Sequence, residues 1–177
     1  MNCAALAELV PHPCSLIDVG SGAGLPGIVL ATLLPDSQIV LLEPMARRAA
    51  FLQECVGVLG LRNAAVHRAR AEEAAGLLAA DVVTARAVAP LDRLAGMALG
   101  LVRPGGLVLA MKGAGAVDEL ARARPVLQRL GAQDAVVVHA GSGKVSPPPA
   151  VVRFTAGRGG TSGPSESGLS DGERIPR

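Results

Sequence analysis

The chain has 177 residues, half of them hydrophobic and 18% charged, with mean hydropathy +0.41. That size and character predict one domain with a sizeable core rather than a disordered chain. A net charge of +2 permits contact with nucleic acid but is too small to argue for it, two Phe with no Trp or Tyr leave almost nothing with which to build a stacking RNA-binding surface, and no apolar run approaches the roughly 18 residues of a membrane span.

The N-terminal MNCAALAELV lacks a basic n-region and carries Glu8, so it predicts one short helix rather than a secretion signal. Seven β-like runs follow: Ser15 to Val19, Gln38 to Leu42, Ala64 to Arg68, Asp81 to Ala85, Gly106 to Met111, Ala135 to His139 and Val151 to Phe154. Helical patterns lie between them at Pro26 to Leu34, Met45 to Leu59, Leu91 to Leu101 and Val117 to Leu130, most of them closed by Pro or Gly. Only a short Ala-rich stretch precedes the Asp81 run. Strands apolar throughout and alternating with helices predict an α/β, doubly wound, mostly parallel sheet covered on both faces. The last two strands are joined by Gly141 to Pro149 rather than by a helix, so they predict an antiparallel hairpin at one edge. Residues 1–156 form the domain, and residues 157–177, rich in Gly, Ser and charge, read as a disordered tail.

Cys3, Cys14, Cys55, His12, His67 and His139 show no metal-ligand spacing. This predicts neither a structural zinc nor a disulfide framework, and suits a reducing cytoplasm.

In an open α/β sheet, ligands bind beyond the carboxyl ends of the strands. The first strand runs through Asp18, Gly20, Gly22, Gly24 and Leu25 into a helix with Pro26 near its first turn. Glycines there let a ligand touch the backbone. Gly22-x-Gly24-x-x-Gly27 satisfies the dinucleotide fingerprint, and Glu43, 21 residues beyond Gly22 at the end of the second strand, is placed to accept ribose hydroxyls. The same features suit S-adenosylmethionine, and Asp18 favours it. A carboxylate at the mouth of the strand suits an ammonium and a sulfonium, and sits badly beside a pyrophosphate.

DVGSGAGLPGIVLA (18–31), LLEP (41–44) with RRAAFL (47–52), RAEE (70–73), TARAVAPL (84–91) and MKG (111–113) together resemble the bacterial 16S rRNA guanine-N7 methyltransferases, once called glucose-inhibited division protein B. The resemblance spans Asn2 to about Phe154 and is carried chiefly by RAE and TARAVAPL. In the family pattern a further N-terminal helical segment with a basic Arg-His pair precedes this stretch.

The resemblance implies a class I S-adenosylmethionine-dependent methyltransferase, Rossmann-like, acting on N7 of guanine 527 in the 530 loop of 16S rRNA, in the small ribosomal subunit. It implies a cofactor site using Gly20, Leu25, Glu43, Ala71, Glu72 and Arg86, with Arg86 and Lys112 toward the RNA. The protein is expected to be a cytoplasmic monomer without membrane or metal. Plainer readings stand beside these: the glycines making a tight turn, Glu43 an exposed strand-end carboxylate, Arg86 neutralising Asp18 or Asp81, Lys112 a solvated strand-end lysine, and Arg47 and Arg48 a solvated helix face. The absence of an Asn/Asp-Pro-Pro-aromatic segment after the fourth strand, and of a cysteine near these loops, favours an acceptor that carries no proton. A non-catalytic cofactor-binding remnant and an NAD(P)-dependent reductase stand as alternatives, the latter against the absence of any Tyr.

Overall fold

The structure, a computed structural model, describes residues 2–158. In chain order the elements are α1 (Asn2–Ala5), a 3-10 turn (Leu6–Leu9), β1 (Ser15–Val19), α2 (Gly27–Leu33), β2 (Gln38–Leu42), α3 (Ala46–Val58) and β3 (Ala64–His67). There follow α4 (Ala71–Ala74), β4 (Ala80–Arg86), α5 (Leu91–Leu99), β5 (Val102–Lys112), α6 (Ala116–Arg129), β6 (Ala132–His139) and β7 (Ala150–Ala156).

The strands form one seven-stranded sheet in the order β3-β2-β1-β4-β5-β7-β6. The first five pair in parallel, and β7 runs antiparallel to both β5 and β6. The chain winds outward from β1 to β3, then returns to lay β4 on the other side of β1. That reversal opens a crevice at the carboxyl ends of β1 and β4.

Side-chain alternation splits the core into two layers. Ile17, Val83, Val108 and Phe154 face α5 and α6, while Leu16, Val82, Leu109 and Val151 face the layer that contains Leu30 of α2 and Leu52 of α3. Both faces are covered, which is why these strands read as unbroken apolar runs. On α5, buried Leu91, Leu94, Ala95 and Ala98 repeat at helical spacing and form the stripe that meets the sheet.

The elements predicted from the sequence all form, β1 and β2 with the predicted bounds and the others with shifted ends. β5 starts at Val102 rather than Gly106, because Val102 pairs with Ala80 before an irregularity in the ladder. β6 starts at Ala132 and bulges between Gln133 and Val136, with Asp134 at φ 53°. The Ala-rich stretch before β4 holds α4, a single turn too short to show a period. The N-terminal helix divides into α1 and the 3-10 turn. Of the predicted tail, residues 159–177 lie outside the described residues.

Phe154 is fully buried between β5 and the helices. Phe154→Ala should therefore lower unfolding stability by about 3–5 kcal/mol, measured by urea denaturation; a loss under about 1 kcal/mol would show that the site collapses around the cavity.

Candidate active site

The loop from β1 to α2 is held from below by Asp18. Its side chain has no exposed surface, Oδ2 accepts the Gly27 N–H at 3.0 Å and Oδ1 accepts the Thr84 hydroxyl at 3.3 Å. A Cβ on Gly27 would lie 2.6 Å from that carboxylate and would strike Leu41, so glycine there permits the close approach of α2 to the sheet. Above this anchor, the Gly20 and Ser21 N–H groups donate to the Leu42 carbonyl.

Glu43, at the end of β2, is 2% exposed. One carboxylate oxygen accepts the Gly22 N–H at 3.0 Å and the other the Met45 N–H at 2.9 Å. Glu43 thus joins the glycine loop to the start of α3, and each oxygen keeps a lone pair for a further donor. After β3, the Glu73 carboxylate accepts the Arg70 N–H at 3.0 Å and closes the turn that starts α4. After β4, Val88 packs on Gly20 so closely that a Cβ there would sit 2.8 Å from it.

These segments surround a cleft of about 270 Å³ lined by Gly20, Glu43, Met45, Ala71, Glu72 and Val88, with Arg48, Arg93 and Met97 also on its walls. A second cavity of about 660 Å³ adjoins it between β4, β5 and the β6–β7 loop. Its lining includes Arg86, Lys112, His139, Met111 and Pro147, and no carboxylate. Ala87 lines both.

Of the residues predicted to bind cofactor, Gly20, Glu43, Ala71 and Glu72 are brought together in the first cleft. Gly22 stands behind it as a donor to Glu43; Gly24, buried, and Leu25, 42% exposed, do not line it. Three further placements differ from the sequence-based expectation. Asp18 is beneath the loop, not at the strand mouth, because its oxygens are taken up by Gly27 and Thr84. Arg86 lines the second cavity, with Nη1 3.1 Å from Cys3 Sγ. It neutralises neither aspartate: Asp81 pairs with Arg103 at the opposite end of β4. Lys112 is neither solvated nor free, since its ammonium binds the Ala89 carbonyl and Glu119.

Met45, Val88 and Met97 were missed from sequence, and Arg48, read there as solvated, is exposed and also edges the cleft. Met45 directly follows the Glu43-Pro44 strand end and was legible from that place; Met97 reaches the cleft only through the packing of α5. Among the described residues no group of three or more His, Cys, Asp or Glu is placed to hold a metal, and no helix is long and apolar enough to cross a membrane.

The sequence profile of the family described as rRNA small subunit methyltransferase G matches residues 1–146. The chain belongs to that family. The "Ribosomal RNA small subunit methyltransferase G" of Thermobifida fusca is 51% identical over all of this chain and 76% of its own length. The protein of the same name from Streptomyces coelicolor is 52% identical over 89% of this chain and 66% of its own. This chain therefore spans about two thirds to three quarters of these relatives.

Among solved structures, the ribosomal protein L11 methylase of Lactobacillus delbrueckii subsp. bulgaricus superposes with TM-score 0.66 at 16% identity, covering 88% of this chain and 77% of that one. The S-adenosylmethionine-dependent methyltransferase SibL gives TM-score 0.67 at 19% identity over 83% and 51%. The fold is that of class I methyltransferases, and methyl transfer is the function the family supports. The reductase and remnant alternatives are not favoured.

Burial pushes the Asp18 carboxyl from 3.8 up to about 7, against hydrogen bonds that pull it down. The folded state therefore holds this proton more tightly than the unfolded one. The stabilisation is fully present below about pH 4 and is lost as pH rises through about 7. Asp18→Asn, which does not titrate, should flatten that decline when urea unfolding is compared from about pH 5 to about pH 8; parallel pH profiles for both proteins would contradict it.

Proposed function

We propose that this chain transfers a methyl group from S-adenosylmethionine to N7 of a guanine in 16S rRNA, at position 527 of the 530 loop, working as a cytoplasmic monomer on the small ribosomal subunit. The observation that supports this most is the pair of adjoining cavities that share Ala87, one with the buried Glu43 carboxylate, the other with cationic and apolar walls and no carboxylate.

The residues of the first cleft fit the cofactor. Glu43 has both oxygens oriented by backbone donors and a lone pair on each for ribose hydroxyls. Gly20 leaves the backbone bare where a side chain would collide with Val88. Val88, Met45 and Met97 offer apolar surface to an adenine, and the turn at Ala71 and Glu72 offers polar groups to its edge. When bound, S-adenosylmethionine supplies an electrophilic methyl group on a sulfonium.

The protein's own task is then alignment and exclusion of water. Guanine N7 presents an unprotonated lone pair, so no side chain has to remove a proton before attack, in keeping with a second cavity that carries no carboxylate. Arg86 and His139 are placed there for contact with RNA phosphate or a base edge. N7 lies on the major-groove edge, which is inaccessible in an A-form helix, so the target is an unpaired nucleotide.

Calorimetry should show binding of S-adenosylmethionine and S-adenosylhomocysteine and none of NAD(H). Glu43→Ala should weaken the former by about 1–3 kcal/mol, the range for hydrogen bonds to a charged acceptor. Radiolabelled methyl transfer to small subunits that lack the N7 methyl group should follow; NAD binding without affinity for the methionine cofactors would overturn the reading.

A further inference from the structure

We propose that Lys112 and Glu119 are positioning residues for methyl transfer: their ion pair locks the loop between β4 and α5, so that Val88 stays closed on Gly20 and Ala87 stands between the two cavities. The inference rests on the reading of the first cleft as the cofactor site, and it gives Lys112 a task other than contact with RNA.

The loop needs an outside restraint. Ala87 has φ 53°, a left-handed conformation that costs energy for any residue with a Cβ and persists only where the surroundings enforce it. Ala87 and Val88 form part of the wall of the cleft. Downstream, both polar groups that flank Pro90 end on the same two side chains. The Ala89 carbonyl accepts from Lys112 Nζ at 2.9 Å, and the Leu91 N–H donates to Glu119 Oε1 at 2.8 Å. The charges themselves meet at 2.8 Å, with the side chains 9% and 25% exposed.

Lys112 comes from the end of β5 and Glu119 from the first turn of α6, so the pair fastens the loop to two elements that carry none of the first cleft's lining. Pro90 has no N–H, and Leu91 supplies one of the unsatisfied N–H groups at the start of α5. The Glu119 carboxylate satisfies it and complements the positive end of that helix. A lysine so enclosed, with its ammonium committed on two sides, is not free to follow an RNA phosphate. Removal of either partner leaves the other charge partly buried and unpaired, and the loop loses its restraint.

The test uses Lys112→Met, which fits an enclosed position, and Glu119→Gln, which still accepts the Leu91 N–H and so preserves the helix start. Each folded protein is identified by a cooperative melt. Hydrogen exchange at the Val88, Ala89 and Leu91 amides should quicken in both variants relative to wild type, without any ligand. S-adenosylhomocysteine affinity should fall in both by about tenfold, with the double variant no weaker than the weaker single one, because the two residues act as a unit. Turnover on small subunits should drop alike in the two, with KM for the subunit unchanged. Unchanged exchange and affinity would overturn the proposal. So would a raised KM in Lys112→Met beside a normal or improved Glu119→Gln, the pattern of a lysine that touches RNA and is freed by loss of its partner. If wild type itself fails to bind S-adenosylhomocysteine, the cofactor reading falls, and the exchange rates alone then decide whether the pair restrains the loop.

Discussion

One carboxyl group without exposed surface, that of Asp18, ties together three segments: the end of β1, the first turn of α2 and, 66 residues on, the middle of β4. Burial of such a group is costly unless its hydrogen bonds are satisfied, and here the Gly27 N–H and Thr84 hydroxyl satisfy it. The glycine loop can then stand proud of the sheet with its backbone bare. That anchor fixes the approach of α2 to the sheet, and the Leu42 carbonyl, which accepts from the Gly20 and Ser21 N–H groups, fixes the loop above it.

Glu43 repeats the device one strand further out, joining two loops through their N–H groups while its carboxylate edges a cleft. The two acids divide the work: Asp18 is enclosed and orders the protein, whereas Glu43 orders the protein and also faces a cavity. Strand ends in this fold thus serve as fixtures for the loops, and the loops rather than the strands meet small molecules. The parallel pairing of β1 with β2 places these two fixtures side by side.

Much of this was legible from residue order. β1 and β2 were bounded correctly because apolar runs buried on both faces are short, continuous and closed by turn residues. Gly20, Glu43, Ala71 and Glu72 meet in one cleft because each follows a strand, and the carboxyl ends of neighbouring parallel strands lie side by side. What was not legible has a common cause. The partners of Asp18, Arg86 and Lys112 are Thr84, Cys3 and Glu119, on other elements, and no local spacing reports them. α4 escaped because one turn of helix has no period, and the early start of β5 because Arg103-Pro104-Gly105 has the composition of a turn although Val102 is already paired.

The place of β7 bears on how the chain assembles. This strand, the last described element in the order of synthesis, fills the slot between β5 and β6 and pairs with both. Until residues 150–156 have emerged, β5 has an open edge and β6 has no neighbour in the sheet. The contacts that close the sheet join β7 to the two strands made just before it, β6 through a hairpin and β5 across α6, so the edge closes only after both are in place. A nascent chain must hold its half-built apolar faces in solution until the seventh strand arrives, which makes β7 the natural checkpoint between a collapsed chain and the finished domain.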